Sequence, residues 1–246
     1  LDIQNSCFIR YFKGHQHQVH QIAMNPVSNN FTTCSKDHSV RFWDLNDPSC
    51  HGKISNVKGH PCLAYDPKGM VLAVAGALNT VRLYDVRKYT DGPFLNIIVD
   101  TEPGDFTNME FSSDGKYLGI STQNGKAVLV DSFYGKKLAE LDTSNKQEQP
   151  PSSMIPNQRP LALSFTPDSK YLLMGSRFDG LAHAWDLQML QLNEITMGGV
   201  QAGSQATYRS SCPIHLIKWN PKKVMLATAS AGHLALWLPD VNGKGS

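Results

Sequence analysis

The chain has 246 residues, 41% of them hydrophobic, which is enough for one repeat-built domain. Its 23 basic and 21 acidic residues are interspersed and leave a net charge of +2, so there is no basic stripe of the kind a dedicated nucleic-acid binder carries. No apolar run approaches the roughly 18–20 residues that cross a bilayer, and the five widely spaced cysteines suit reduced cytosolic or nuclear thiols better than a disulfide framework.

The opening residues, Leu1-Asp2-Ile3-Gln4, form no basic or apolar secretory leader. Leu1-Asp2 resembles the end of a strand and Phe8 to Phe12 an outer strand, so the chain is expected to open inside a repeat. The first full repeat starts at Gly14-His15 and runs through Val19 to Met24, a turn at Asn25-Pro26, and Phe31 to Ser35. After Lys36-Asp37-His38 it closes on Ser39-Val40-Arg41-Phe42-Trp43-Asp44. The second has Gly59-His60, Leu63 to Tyr65, the turn Asp66-Pro67-Lys68-Gly69, Val71 to Ala75, and the close Val81 to Asp85. Phe94 to Val99 follows as an outer strand. The third runs from Phe106 to Phe111, turns at Ser113-Asp114-Gly115-Lys116 and closes at Ala127 to Asp131. The fourth runs from Leu161 to Phe165, turns at Pro167 to Lys170 and closes at Leu181 to Asp186; the fifth runs from Ile214 to Trp219, turns at Asn220 to Lys223 and closes at Leu234 to Leu238.

These stretches are short, rich in β-branched and aromatic residues, and punctuated by Pro and Gly, which makes them strands and not helices. The closing positions 44, 85, 131, 186 and 238 recur at intervals of 41, 46, 55 and 52 residues. The first two intervals match the ~40–45 residues of a four-stranded WD-repeat blade. The longer ones contain polar inserts at about 144–159 and 198–211, rich in Pro, Gly, Ser and Gln and expected to be loops. The expected fold is all-β, a WD-repeat β-propeller with five recognisable blades and a single domain over 1–246. Two further blades, about 80–90 residues, are expected upstream to make seven. In such repeats a His, a Ser or Thr, an Asp and a Trp form a buried hydrogen-bonded set, for which the first repeat offers His15, Thr33 or Ser35, Asp37 and Trp43.

Sharper chemistry has little support in the sequence. The run His15-Gln16-His17-Gln18-Val19-His20 hints at a metal, but the repeat pattern claims His15 and no Cys or carboxylate cluster accompanies the other two. There is no G-x-S-x-G elbow and no phosphate-binding Gly-rich loop. The expectation is therefore no catalytic residue, no metal and no cofactor. Partner contacts are expected on the loops after the outer and second strands, at Gln16, His17, Lys36, His38, Asn79, Gln123, Asn124, Arg177 and Phe178, with Arg87-Lys88-Tyr89 and Phe94 as a second rim cluster.

A narrower resemblance rests on Ile9 to His15, Ser39 to Leu45, Val81 to Asp85 with Gly92-Pro93-Phe94, Asp131 to Gly135, Ser164 to Asp168, and Trp237-Leu238-Pro239. Together these are similar to the Swd-two-like WD-repeat subunit of COMPASS-type histone lysine methyltransferase complexes, from about Cys7 to Pro239. The resemblance implies a non-catalytic nuclear scaffold that binds protein subunits of a histone methyltransferase complex and supports methylation at transcribed chromatin. It implies no membrane, no small-molecule substrate and no direct sequence-specific nucleic acid. A generic WD-repeat adaptor remains the alternative, such as a ubiquitin-ligase substrate receptor or a subunit of RNA 3′-end processing or nuclear phosphatase complexes.

Overall fold

Apolar stretches of four to eight residues between Pro, Gly and Asp turns are too short to nucleate stable helices and pair instead as antiparallel strands. The computed structural model describes residues 5–8, 10–57, 59, 61–76, 79–99, 106–122, 125–142, 163–175, 181–189, 205–209, 214–220, 222–223, 225–230 and 233–238. The described residues form five antiparallel sheets of the blade type, and the fold class is that of the all-β WD-repeat propeller. The chain divides into two compact units, residues 1–105 and 106–246.

In the first unit, β1 (Val19–Met24), β2 (Asn30–Ser35), β3 (Val40–Asp44) and β4 (Asp47–Ile54) pair in chain order. So do β5 (Cys62–Tyr65), β6 (Val71–Ala75), β7 (Thr80–Asp85) and β8 (Leu95–Ile98). Cys34, Val40 and Phe42 of one sheet pack with Leu63, Leu72, Val74 and Tyr84 of the other in a shared core. Gln21 joins the two sheets: its side-chain amide accepts from Leu63 N at 2.8 Å and donates to Leu63 O at 3.1 Å, imitating a strand neighbour.

In the second unit, β9 (Phe106–Phe111), β10 (Tyr117–Thr122), β11 (Lys126–Asp131) and β12 (Lys137–Asp142) make one sheet, and β13 (Leu163–Phe165), β14 (Tyr171–Gly175), β15 (Leu181–Asp186) and β16 (Gln205–Arg209) the next. The third comprises β17 (Ile214–Trp219), β18 (Leu226–Ser230) and β19 (His233–Trp237). All six residues of β10 are buried, as expected of a central strand covered on both faces. Leu129, Leu163, Phe165, Met174 and Trp185 fill the core between the first two of these sheets; Leu173, Ala182, Ile214, Ile217 and Leu226 fill that between the second and third. The sheets approach closely enough that a Cβ on Gly175 would meet the Ile214 carbonyl oxygen at 2.6 Å.

The closing aspartates have one local task. Asp44, Asp85, Asp131 and Asp186 each accept backbone N–H bonds from the residues two or three ahead, at 2.7–3.3 Å, and so fix the turn out of the third strand.

Three expectations change. Phe8 to Phe12 is not an outer strand among its described residues: Phe12 turns inward onto Phe31 and Trp43, with ring centroids 4.9 and 5.7 Å away, because burial of an aromatic ring outweighs pairing at a sheet edge. Within the polar stretch 198–211, Gln205–Arg209 forms strand β16 against β15, because the edge of β15 offers unpaired backbone groups and Ala-Thr-Tyr is a competent strand sequence. The rest of that stretch, and 144–159, lie outside the described residues. The rim cluster at Arg87 to Phe94 also separates. Tyr89 stacks on Phe42 at 4.4 Å, Arg87 binds Asp85 and holds its carboxyl down to about 2, and Arg87, Lys88 and Phe94 stay exposed. No helix among the described residues is long and apolar enough to cross a membrane.

Candidate functional site

The loop before β1 and the turn between β2 and β3 meet at one end of the first sheet, and a buried polar set locks them together. Trp43 Nε1 donates to Thr33 Oγ1 at 2.8 Å, and Thr33 Oγ1 lies 2.7 Å from His15 Nε2. His15 Nδ1 lies 2.9 Å from Asp37 Oδ2, and Ser39 donates to Asp37 Oδ1 at 2.7 Å. A carboxylate accepts only, so the imidazole proton sits on Nδ1, Nε2 accepts from the threonine, and the threonine oxygen accepts from the indole. Every donor is used once. Thr33 therefore fills the position for which the sequence offered Thr33 or Ser35. Ser35 instead donates to His17 O at 3.0 Å and accepts from Asp37 N at 3.2 Å.

Asp37 is the hub. Its burial alone would raise the carboxyl pKa, but bonds from Ser39, Gln16 N and His15 prevail and hold it well below the ordinary 3.8. Sequence reasoning missed Ser39, which is buried in the set; a hydroxyl two residues after a turn aspartate is the available signal.

These bonds place four of the proposed contact residues side by side. Gln16 N donates to Asp37, and Lys36 N donates to Gln18 O at 3.0 Å, so the Gln16-His17 loop lies along the Lys36–His38 turn. The side chains of Gln16, His17, Lys36 and His38 are exposed. His38 takes a left-handed conformation, φ 59°, that reverses the chain, and Val57 N donates to its carbonyl. Asn79 occupies the matching β6–β7 turn of the second sheet, also left-handed at φ 51°, and is half-buried. Gln123, Asn124, Arg177 and Phe178 lie outside the described residues.

The histidines of the His15–His20 run diverge. His15 is held by Asp37 and Thr33, whereas His20 Nε2 is bound to Pro61 O at 2.8 Å. Among the described residues no three His, Cys, Asp or Glu side chains gather as a metal site.

Residues 6–44 match the family described as WD domain, G-beta repeat. WD repeat-containing protein 82 of Drosophila melanogaster is 33% identical over 242 residues, covering 97% of this chain and 69% of its own length. COMPASS component SWD2 of Saccharomyces cerevisiae is 34% identical over 233 residues, covering 93% of this chain and 67% of its own. The chain thus spans about two thirds of the length of the curated relatives it matches. A chain of the solved structure titled Crystal Structure of Mitotic Checkpoint Complex matches with a TM-score of 0.73 over 93% of this chain and 63% of its own, at 12% identity, a likeness of fold alone.

Proposed function

The chain belongs to the WD-repeat family that includes COMPASS component SWD2 and WD repeat-containing protein 82, and from that membership we propose that it is a non-catalytic scaffold subunit of a nuclear chromatin-modifying complex. In this reading residues 1–246 act as one WD-repeat propeller domain whose partners are the protein subunits of a histone lysine methyltransferase assembly. The supporting observation is the 34% identity to a named COMPASS component over 93% of the chain. His15, Asp37 and Ser39, the residue types a hydrolase would use, hold one another and Thr33 as structure, which favours a scaffold over an enzyme. Gln16, His17, Lys36, His38 and Asn79 are the proposed contact residues, together with Gln123, Asn124, Arg177 and Phe178.

Affinity purification of the complete protein from nuclear extract, with mass spectrometry of what accompanies it, tests this. Recovery of a SET-domain methyltransferase with its other propeller subunits supports the proposal. Recovery of phosphatase or 3′-end processing subunits alone overturns the pathway and keeps the scaffold; ubiquitin-ligase subunits in their place overturn both. Replacing Gln16, His17, Lys36 and His38 together by alanine is expected to lower recovery of those partners while the melting temperature stays within about 2 °C, since all four side chains are exposed. Undiminished recovery would remove this loop end from the interface.

A further inference from the structure

The turns at the other end of the sheets, between the first and second strands, differ in how they meet. Within the first unit, Asn25 Nδ2 donates to Gly69 O at 2.9 Å, tying the β1–β2 turn to the β5–β6 turn. Within the second unit, Asp114 N donates to Ser169 Oγ at 3.0 Å, tying the β9–β10 turn to the β13–β14 turn. Among the described residues no hydrogen bond joins residues 166–171 to residues 219–223, and there the turns stand apart around a cleft of about 340 Å³.

Its walls are aromatic and its rim is basic. Tyr171, the first residue of β14, and Trp219, the last of β17, line it with Pro167, Asp168, Lys222 and Lys223. Tyr171 is 42% exposed, and Trp219 is half-buried against the core between the β13–β16 and β17–β19 sheets. The backbones of Lys222 and Lys223 are bound to Asn220 Oδ1 at 2.9 and 3.0 Å, which fixes the turn that carries both ammonium groups. Neither ammonium has a carboxylate partner among the described residues. Asp168, the acidic group of the lining, is engaged by its own turn: Oδ1 accepts from Thr166 Oγ1 at 2.6 Å and from Lys170 N at 3.2 Å, and Oδ2 lies 4.0 Å from Lys170 Nζ. The local charge is therefore positive. The volume, at the low end of the ~300–1,000 Å³ typical of ligand sites, suits one or two side chains and not a cofactor.

We propose that this cleft binds a short acidic peptide segment of a partner protein, with one aromatic or leucine side chain between Tyr171 and Trp219 and flanking carboxylates on Lys222 and Lys223. The aromatic pair supplies the desolvated anchor and the two lysines supply charge complementarity and orientation. The cleft is built from turns that join first and second strands, unlike the loops named above, and stands independently of the complex proposed there.

The test uses the full chain and a fluorescein-labelled peptide of eight glutamates with phenylalanine at its centre, followed by fluorescence anisotropy. Binding is expected, weakened about tenfold or more by the exposed double reversal K222E/K223E, whose melting temperature should match the parent. Weakening is also expected when the peptide's phenylalanine becomes serine, and in Tyr171→Ser. The peptide control keeps the apolar contact testable if Tyr171→Ser perturbs folding. Three outcomes would overturn the proposal: equal binding of the serine peptide, no effect of K222E/K223E, or tighter binding of a matching polylysine peptide.

Discussion

Thr33 receives the indole proton of Trp43 and gives its own to His15, so one hydroxyl satisfies two buried groups. Valine at this position keeps the shape and strands both. With ~1–3 kcal/mol for each buried group left unpaired, Thr33→Val is expected to lower unfolding free energy by about 2–4 kcal/mol in urea titration, and Thr33→Ser by much less. A loss below about 0.5 kcal/mol would show that the set contributes little. Asp37 adds a pH dependence. Its folded-state pKa lies below the unfolded value of 3.8, so its contribution is complete above that value and is lost as pH falls through the lower folded value. The stability gap between the parent and Asp37→Asn should therefore be constant from about pH 7 to pH 5 and shrink below about pH 4. A gap that stays constant down to pH 2 would contradict this assignment. The participants His15, Asp37 and Trp43 were legible because they stand at the positions where WD repeats carry such a set, and each is a polar group that needs a partner when buried. The choice of Thr33 over Ser35 was not, because both lie on the strand face that looks toward Trp43 and only register separates them: the β2–β3 pairing sets Phe31 opposite Trp43 and Thr33 opposite Arg41, which leaves Ser35 farther along the strand.

The strands themselves sit where the turn residues put them: β1, β6, β9, β15 and β17 match the stretches delimited by Pro, Gly and Asp closely. Their contacts were less readable. Arg87-Lys88-Tyr89 looks like a surface cluster in one dimension, yet Tyr89 crosses to Phe42 and its ring fills the space over Gly52, where a Cβ would collide with Tyr89 Oη. Gly175 is the clearest case of sheet-to-sheet fit, because the atom a new Cβ would strike is backbone and cannot swing away. Gly175→Ala is expected to cost about 1–3 kcal/mol by overpacking, and to speed amide exchange in β17 and β18 more than in β10 and β11. Uniform acceleration across all four strands would argue against a local seam. β16 escaped the sequence reading because its flanks are low in apolar content. Its order comes from the free edge of β15, a tertiary cause.

Two sheets leave apolar side chains in water. Ile22 and Met24 of β1 are exposed in the first unit, and Leu216, Leu234 and Leu236 of the β17–β19 sheet in the second. Such faces, with the outer side of β19 unpaired among the described residues, favour association. The isolated 246-residue chain is expected to show concentration-dependent self-association in light scattering after gel filtration, reduced in a Leu234→Lys, Leu236→Lys variant. A monodisperse monomer at every concentration tested would refute it. The family relation and the scaffold reading also belong to this scale, since they rest on similarity spread over 93% of the chain and not on one site.

The sequence alone determined the bounds of β1, β6, β9, β15 and β17, the repeat interval and the turn chemistry, and its WD-repeat pattern named His15, Asp37 and Trp43 as one set. The bounds and turns follow from local rules, side-chain period and φ limits, and the set follows from the repeat pattern. Tertiary structure decided which hydroxyl completes that set, where Phe12 and Tyr89 bury their rings, and why Gln205–Arg209 is a strand. It also decided that Tyr171 and Trp219, 48 positions apart in the chain, line one cleft with Lys222 and Lys223. Each depends on what a neighbouring strand or sheet presents, and a residue's own sequence surroundings carry no record of that neighbour.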